Sequence, residues 1–340
     1  LNQIQKALEA YLELKRSNFP RFYFLSNDEL LEILANAMNL PAIQKHMKKC
    51  FDNIYKLYAG EDPKSTSITA MISGEGEKVE FNKLVSIRSG DIEHWLNQVQ
   101  EQMRDTISRR MKEGRNDIEL TERKKWVLQH HGQVVATVAQ LSWCATTEFF
   151  LDQMKENPNS LAEWFQINFM QLGQLTELVR EALDPIKHKI VVALITQDVH
   201  ARDIIETLTN ENVNYKMDFQ WQQQLRYYWD ESPEKDKENI YVLQINARLK
   251  YGYEYMGATS RLVVTPLTDR CWITITGALN IKLGAAPAGP AGTGKTESTK
   301  DLAKALGMLC VVFNCSEQIE HRMMARLFSG LAQQGAWSCL

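Results

Sequence analysis

The sequence lacks a strong excess of charge of one sign, and it lacks a long apolar run. Lys and Arg together number 39 against 42 Asp and Glu, which excludes the basic field typical of nucleic-acid-binding proteins. No run approaches the ~18 consecutive apolar residues that a membrane-spanning helix needs, and the first residues have no signal-peptide pattern. We therefore expect a protein that binds neither nucleic acid nor membrane.

Cysteine pairs at metal-ligand spacing are also missing. There is no C-x-x-C pair and no nearby His at ligand spacing, a pattern typical of reduced thiols rather than of zinc sites or disulfide frameworks. The six cysteines are Cys50, Cys144, Cys271, Cys310, Cys315 and Cys339. A content of 44% apolar and 24% charged residues indicates a globular protein, and 340 residues are enough for two domains.

Most of the chain up to about Thr207 has the apolar spacing of amphipathic helices. Two short runs around Gly74 and Gly76, within 67–81, predict a β-hairpin inserted among them. The clearest helix is "DIEHWLNQVQEQMRDTISRRM", and its apolar face carries Ile92, Trp95, Leu96, Val99, Met103 and Ile107. Two further helices are predicted, one carrying Val127, Val134, Val138 and Leu141 and the other carrying Leu175, Leu178 and Val179.

The apolar period changes after the polar stretch "DESPEKDKEN", residues 230–239. In "LQINARLKYGYEY", apolar or aromatic positions alternate strictly with the other positions from Leu243 to Tyr255, which predicts one strand, bent at Gly252. An α/β pattern follows. The predicted fold is therefore a helical region with a small β insertion, joined to an α/β region.

The run "GPAGTGKT" fits the phosphate-binding pattern G-x-x-x-x-G-K-[ST] at every fixed position. Its glycines let backbone N–H groups point at phosphate oxygens at the start of a helix. Lys295 is predicted to reach the β- and γ-phosphates, and the Thr296 hydroxyl is predicted to hold Mg²⁺. The predicted nucleotide-binding residues of this loop are Gly289, Pro290, Ala291, Gly292, Thr293, Gly294, Lys295, Thr296 and Glu297.

Two features depart from an ordinary site of this kind. The preceding "LGAAPAG" has small residues and Pro287 where an apolar strand usually stands. Hydrolysis also needs a strand that ends in acidic residues, but "LCVVFN" ends in Asn314 and "AWSCL" begins a strand without an acid. The run "KIVVALITQD" ends at Asp198 outside this region, and we interpret it and the pair His130 and His131 as structural.

The run "TPLTDRCWITITGALNIKLGAAPAGPAGTGKTESTKDLAKALGMLCVVFNCSEQ" resembles the start of the first AAA+ module of dynein heavy chains. Upstream runs, among them "GDIEHWLNQVQEQM", "LITQDVHARDII" and "YGYEYMG", resemble the linker before that module. The resemblance covers nearly the whole chain and is closer to axonemal than to cytoplasmic members, with the inner arm favoured. It implies that 1–256 form a mostly helical linker that acts as a lever. Residues 257–340 would then be the N-terminal part of an α/β P-loop AAA+ module, truncated before its catalytic acids, which are expected beyond Leu340.

The resemblance also implies ATP or ADP with Mg²⁺ as cofactors and an adenine wall formed by Pro266, Leu267 and Thr268. Implied partners are the remaining AAA+ modules, microtubules, and intermediate and light chains bound through a tail. The implied location is the cytoplasm and cytoskeleton, in the axoneme of a cilium or flagellum. The parent protein would be a motor ATPase, and this chain by itself would be inactive. The alternative is a complete, non-hydrolysing helical scaffold or interaction protein whose loop binds nucleotide without turning it over.

Overall fold

The computed structural model describes residues 2–60, 65–88, 91–232, 239–315 and 319–340. It is 58% helical, well above the roughly 30–35% of an average globular protein, and this confirms the predicted fold class. The helices are α1 (Asn2–Asn18), a 3₁₀ helix (Pro20–Phe24), α2 (Asn27–Ala35), α3 (Leu40–Cys50), α4 (Ile92–Ile118), α5 (Arg123–Gln129), α6 (Gly132–Gln153), α7 (Ser160–Leu178), α8 (Pro185–Asn210), α9 (Phe219–Gln222), α10 (Pro266–Asn280), α11 (Lys295–Ala305) and α12 (His321–Gln334). The strands are β1 (Lys56–Tyr58), β2 (Ser67–Ile72), β3 (Lys78–Ser86), β4 (Arg226–Trp229), β5 (Ile240–Gln244), β6 (Ala247–Lys250), β7 (Cys310–Val312) and β8 (Trp337–Cys339).

The chain divides into two compact units, both of which are discontinuous in sequence. The first contains Leu1–Ile107, Gly252–Gly257 and Gly307–Leu340, and the second contains Ser108–Tyr251 and Ala258–Leu306. The functional boundary predicted after residue 256 remains a prediction.

The core of the first unit contains the predicted apolar face of α4. All six of its predicted core side chains, from Ile92 to Ile107, are at most 2% exposed. The predicted hairpin is confirmed, since β2 and β3 pair antiparallel with Met71 opposite Val79. A third strand, β1, pairs with β2. Strand β1 was not predicted from the sequence, because a run of three residues is too short to show an alternation of period two.

A buried ion pair fastens the segment Gly252–Gly257 within the first unit. The guanidinium of Arg21 donates to both carboxylate oxygens of Glu254, at 2.7 and 2.6 Å, and also to the carbonyl of Cys50 at 2.8 Å. Neither side chain of the pair is more than 2% exposed. The two-point geometry satisfies the charges that burial would otherwise leave unpaired.

The core of the second unit contains α5 to α8, and here one helix prediction was wrong. The helix expected to carry Val127 and Val134 is two helices, α5 and α6, separated at His130 and His131. The break precedes Gly132, where an added Cβ would lie 2.8 Å from the Cα of Ala258. Close approach of another segment therefore requires glycine where α6 begins, a constraint that helical spacing does not reveal.

The strand predicted over residues 243–255 is also wrong. This stretch contains the last two residues of β5, a turn and β6, and the two strands pair antiparallel with Gln244 opposite Ala247. Ile245 has a φ of 51° at the turn, so the buried face changes from even positions in β5 to odd positions in β6. Gln244 is consequently buried, and it accepts a hydrogen bond from the Thr276 hydroxyl at 2.8 Å.

Helix α6 is long and apolar enough to cross a membrane by length and composition alone, and 56% of its most apolar window is buried. Its residues contact α7, α8 and β4 within the second unit. A core helix passes the same test of length and composition. Packing against these three elements accounts for its apolar character.

Candidate nucleotide-binding site

The predicted phosphate loop lies directly before α11, as the sequence pattern predicts. Gly292 and Gly294 have φ values of 78° and 80°, in the left-handed region that costs other residues about 1–2 kcal/mol. Gly294 is the N-cap of α11, and Gly307, which follows the helix, also has a positive φ. The local backbone conformation therefore favours glycine at positions 292 and 294.

The start of α11 is suited to an anion. The first N–H groups of an α-helix have no partner within the helix, and Gly294 has no side chain with which to cap them. Residues 283–294 are all exposed, so ligands can approach the loop freely. Backbone N–H groups and the helix dipole together favour phosphate at this position.

Lys295 folds back into the loop. Its Nζ donates to the carbonyls of Gly289 and Pro290, at 2.8 and 2.6 Å, and lies 3.4 Å from the hydroxyl of Thr293. That hydroxyl donates to the Pro290 carbonyl at 2.9 Å. The ammonium charge is therefore held at the centre of the loop, where phosphate oxygens would compete for it with the two carbonyls.

The two residues after the lysine are exposed on the first turn of α11. The carboxylate of Glu297 accepts a hydrogen bond from Lys300 at 3.0 Å, so it is paired along the helix. The Thr296 hydroxyl is an oxygen donor of the type Mg²⁺ prefers. The oxygen and N–H groups of this turn suit the phosphates and the metal of a nucleotide complex.

The predicted adenine wall forms the first turn of α10. Pro266 is the first residue of that helix, and the hydroxyl of Thr265 caps it by accepting from the N–H of Thr268 at 3.3 Å. Leu267 is 72% exposed, which leaves an apolar surface for a base. Helix α10 is tied to α11, because Trp272 Nε1 donates to the carbonyl of Ser298 at 3.1 Å.

Buried polar contacts hold α11 in the second unit. Asp301 accepts from the guanidinium of Arg261 at 3.1 and 3.2 Å, and the hydroxyl of Tyr227 donates to the carbonyl of Ala305 at 2.8 Å. Sequence reasoning missed these three residues. The sequence signal for this contact is the acid Asp301, which lies beside the apolar stripe of the helix. The spacing of residues does not show which basic side chain pairs with Asp301.

Two family models match the chain. One, described as dynein heavy chain, N-terminal region 2, matches residues 1–114, and the other, described as the hydrolytic ATP binding site of the dynein motor region, matches residues 251–340. The chain belongs to the dynein heavy chain family. Three relatives match it over its whole length: dynein axonemal heavy chains 6 and 1 of Homo sapiens, at 48% and 45% identity, and dynein axonemal heavy chain 2 of Mus musculus, at 44%.

The chain spans 8% of the length of each of these three dyneins. The axonemal resemblance seen in the sequence is confirmed by their names. The match to the family model described as the hydrolytic ATP binding site of the dynein motor region covers both the loop and the first turn of α10.

The segment before the loop differs from the apolar strand that usually stands at this place. Residues 283–288 form no strand, because small side chains and Pro287 give little strand propensity and Pro287 has no N–H to donate. The two later strand predictions are confirmed, since β7 and β8 pair parallel in the first unit with Cys310 opposite Trp337. Neither strand ends in an acid.

The rejected catalytic candidates have structural contacts. Asp198 lies within α8, and its carboxylate accepts from Arg123 at 2.5 Å. His130 packs against the ring of Trp126, and burial lowers the pKa of His130 below its usual value. Among the described residues, no group of three or more His, Cys, Asp or Glu side chains could hold a metal ion. Cys50, Cys144, Cys271, Cys315 and Cys339 are free thiols.

Proposed function

We propose that the loop from Gly289 to Thr296 binds ATP with Mg²⁺ as part of the first AAA+ module of an axonemal dynein, with the inner arm favoured. The observation that carries this proposal is the ammonium of Lys295 held inside a loop whose Gly292 and Gly294 are left-handed, at the uncapped start of α11. The family model, described as a hydrolytic ATP binding site, supports it.

In this proposal each group has one role. The loop N–H groups and Lys295 hold the phosphates, Thr296 supplies a hydroxyl ligand to Mg²⁺, and Glu297 stabilises the first turn of α11. Pro266, Leu267 and Thr268 contact the adenine. When bound, the nucleotide–metal complex supplies the phosphoryl group for hydrolysis, and the residues of this chain bind and orient it.

We further propose that residues 1–256 act as the lever of the motor and that 257–340 begin its ATPase module. The partners would be the other AAA+ modules, microtubules, and intermediate and light chains, at the axoneme. Hydrolysis is proposed for the whole heavy chain. The carboxylates nearest the loop in sequence, Glu297 and Asp301, lie on α11 and form ion pairs with Lys300 and Arg261. We expect the 340-residue polypeptide to release phosphate no faster than its own Lys295→Ala variant.

The lack of an acid at the ends of β7 and β8 would suit the scaffold alternative, but the description of the matching family model names a hydrolytic site. The decisive experiment is microtubule gliding by the full heavy chain carrying Lys295→Ala. We expect gliding to stop, because removing one electrostatic contact of this kind costs about 10²–10³-fold in rate. Lys300→Ala, on the same helix, is the matched control and should glide normally. Unchanged gliding by Lys295→Ala would remove the loop from the mechanism.

A further inference from the structure

One ion pair joins the helix of the phosphate loop to the segment that leads into the predicted adenine wall. Asp301 lies on α11 six residues after Lys295, about 9 Å along the helix axis. Its two carboxylate oxygens accept from Nε and Nη2 of Arg261, and one of them also lies 3.4 Å from the backbone N–H of Leu262. The carboxylate therefore fixes both the side chain and the backbone of residues 261–262.

This pair is built into the interior of the second unit. The side chain of Asp301 is 3% exposed and that of Arg261 is 18% exposed. Burial by itself would lower the pKa of Arg261, but the adjacent Asp301 and Tyr227 more than offset this and raise it. A planar guanidinium held at two points is fixed in orientation as well as in position.

The pair lies close in sequence to the predicted adenine wall. Only three residues separate Leu262 from Pro266, where α10 begins. The first turn of α10 therefore lies between two attachments to α11. Asp301 holds Leu262 before the helix, and Trp272, later in the helix, donates to Ser298. The distance between the phosphate-binding turn and the adenine wall depends on both attachments.

We propose that Arg261 and Asp301 are positioning residues that set the adenine wall against the phosphate loop. The pair touches neither phosphate nor base and acts through residues 262–268. The proposal rests on the proposed nucleotide site. It requires that breaking the pair weaken recognition of the base while leaving recognition of the phosphates intact.

The test uses the full heavy chain with two probes, ATP and inorganic tripolyphosphate, which has no base. For Asp301→Asn we expect the KM for ATP to rise roughly tenfold, since small misplacements in a site have effects of this size or more. Inhibition of the ATPase by tripolyphosphate should change less than about twofold, within the effect of a neutral surface change. A parallel loss of affinity for both probes, or no change in either, would overturn the proposal.

The matched control is Asp198→Asn, which breaks another buried Arg–Asp pair of the same unit, with Arg123. It should destabilise the unit without altering the ratio of the two affinities. If Asp301→Asn fails to fold, the double variant Arg261→Met/Asp301→Leu removes both charges and leaves none unpaired. It should show the same selective rise in KM, and a KM unchanged from the parent would again overturn the proposal. Lys295→Ala separates the two hypotheses, because unaltered gliding by that variant would refute the phosphate site itself, whatever the result for Asp301→Asn.

Discussion

The phosphate loop and the bundle of α5 to α8 lie in the same unit but use polar groups in opposite ways. In the loop, residues 283–294 are all exposed and Lys295 bonds to backbone carbonyls. In the bundle, Arg123 and Asp198 pair with each other at 18% and 9% exposure. The loop keeps its donors available for a ligand, whereas the bundle uses its charges to join two of its helices.

This difference separates binding from stability. A loop without buried side chains contributes little to the free energy of unfolding, so its residues are free to serve a ligand. The bundle buries Trp126 completely, and the indole N–H donates to the carbonyl of Gly114 at 2.9 Å. Substitutions of buried residues in the bundle should therefore change stability, and substitutions in the loop should change only nucleotide-dependent properties.

The largest expected effect is that of Trp126→Ala. Emptying a fully buried tryptophan site costs about 3–5 kcal/mol, which should appear in urea unfolding of the 340-residue chain. In the same assay Lys295→Ala should stay within about 0.5 kcal/mol of the parent, because its contacts are exposed. Phe169→Ala, at a 55% exposed position on α7, is the control for loss of an aromatic side chain. Comparable destabilisation by Lys295→Ala and Trp126→Ala would contradict the distinction drawn between loop and bundle.

A smaller effect is expected at Asp269, in the first turn of α10. Burial raises the pKa of its carboxyl from 3.8 to about 6. His200 lies beside it, with Nε2 3.8 Å from the carboxylate, and burial lowers the pKa of His200 below its usual value. Below about pH 4 the Asp269 carboxyl is neutral in both the folded and unfolded states. As the pH rises through 6, the folded state must bury a charge, and stability is lost.

The variant Asp269→Asn should remove that loss. We expect it to be more stable than the parent at pH 7.5 by an amount on the order of 2–3 kcal/mol, and about equal to it at pH 4, as measured by urea unfolding at both pH values. Asp203→Asn, which removes an exposed carboxylate on α8, should leave the pH dependence unchanged. Parallel pH profiles for the parent and Asp269→Asn would show that burial of this carboxyl has no energetic consequence.

The smallest effect concerns the cap of α10. Thr265→Ala removes the hydroxyl that accepts from the N–H of Thr268, and loss of such a cap costs about 1 kcal/mol. The thermal midpoint of the chain should fall by a few degrees. Thr274→Ala, in the exposed interior of the same helix, removes a hydroxyl without uncapping the helix and should not lower the midpoint. Equal changes for the two variants would mean that the cap does not stabilise the helix.

Much of the fold follows from local patterns. The apolar face of α4, the hairpin of β2 and β3 and the helix α11 were all predictable, because each has a period or a motif within a short window. The hairpin of β5 and β6 was not, because the left-handed Ile245 turns the chain in the middle of an uninterrupted alternation. Alternation predicts a strand but does not show where the strand reverses.

By itself, the sequence determined the phosphate loop and the start of its helix, since the glycines and the lysine act through neighbouring backbone atoms. Only the tertiary structure decided what holds that helix in place. Asp301 accepts from Arg261, which lies 40 residues away in sequence, and the carbonyl of Ala305 accepts from Tyr227, which lies 78 residues away. Such contacts depend on how distant segments pack. Dihedral preferences are local properties of the chain. A buried charge needs a partner because water is excluded around it, and the tertiary packing determines which side chain lies close enough to be that partner.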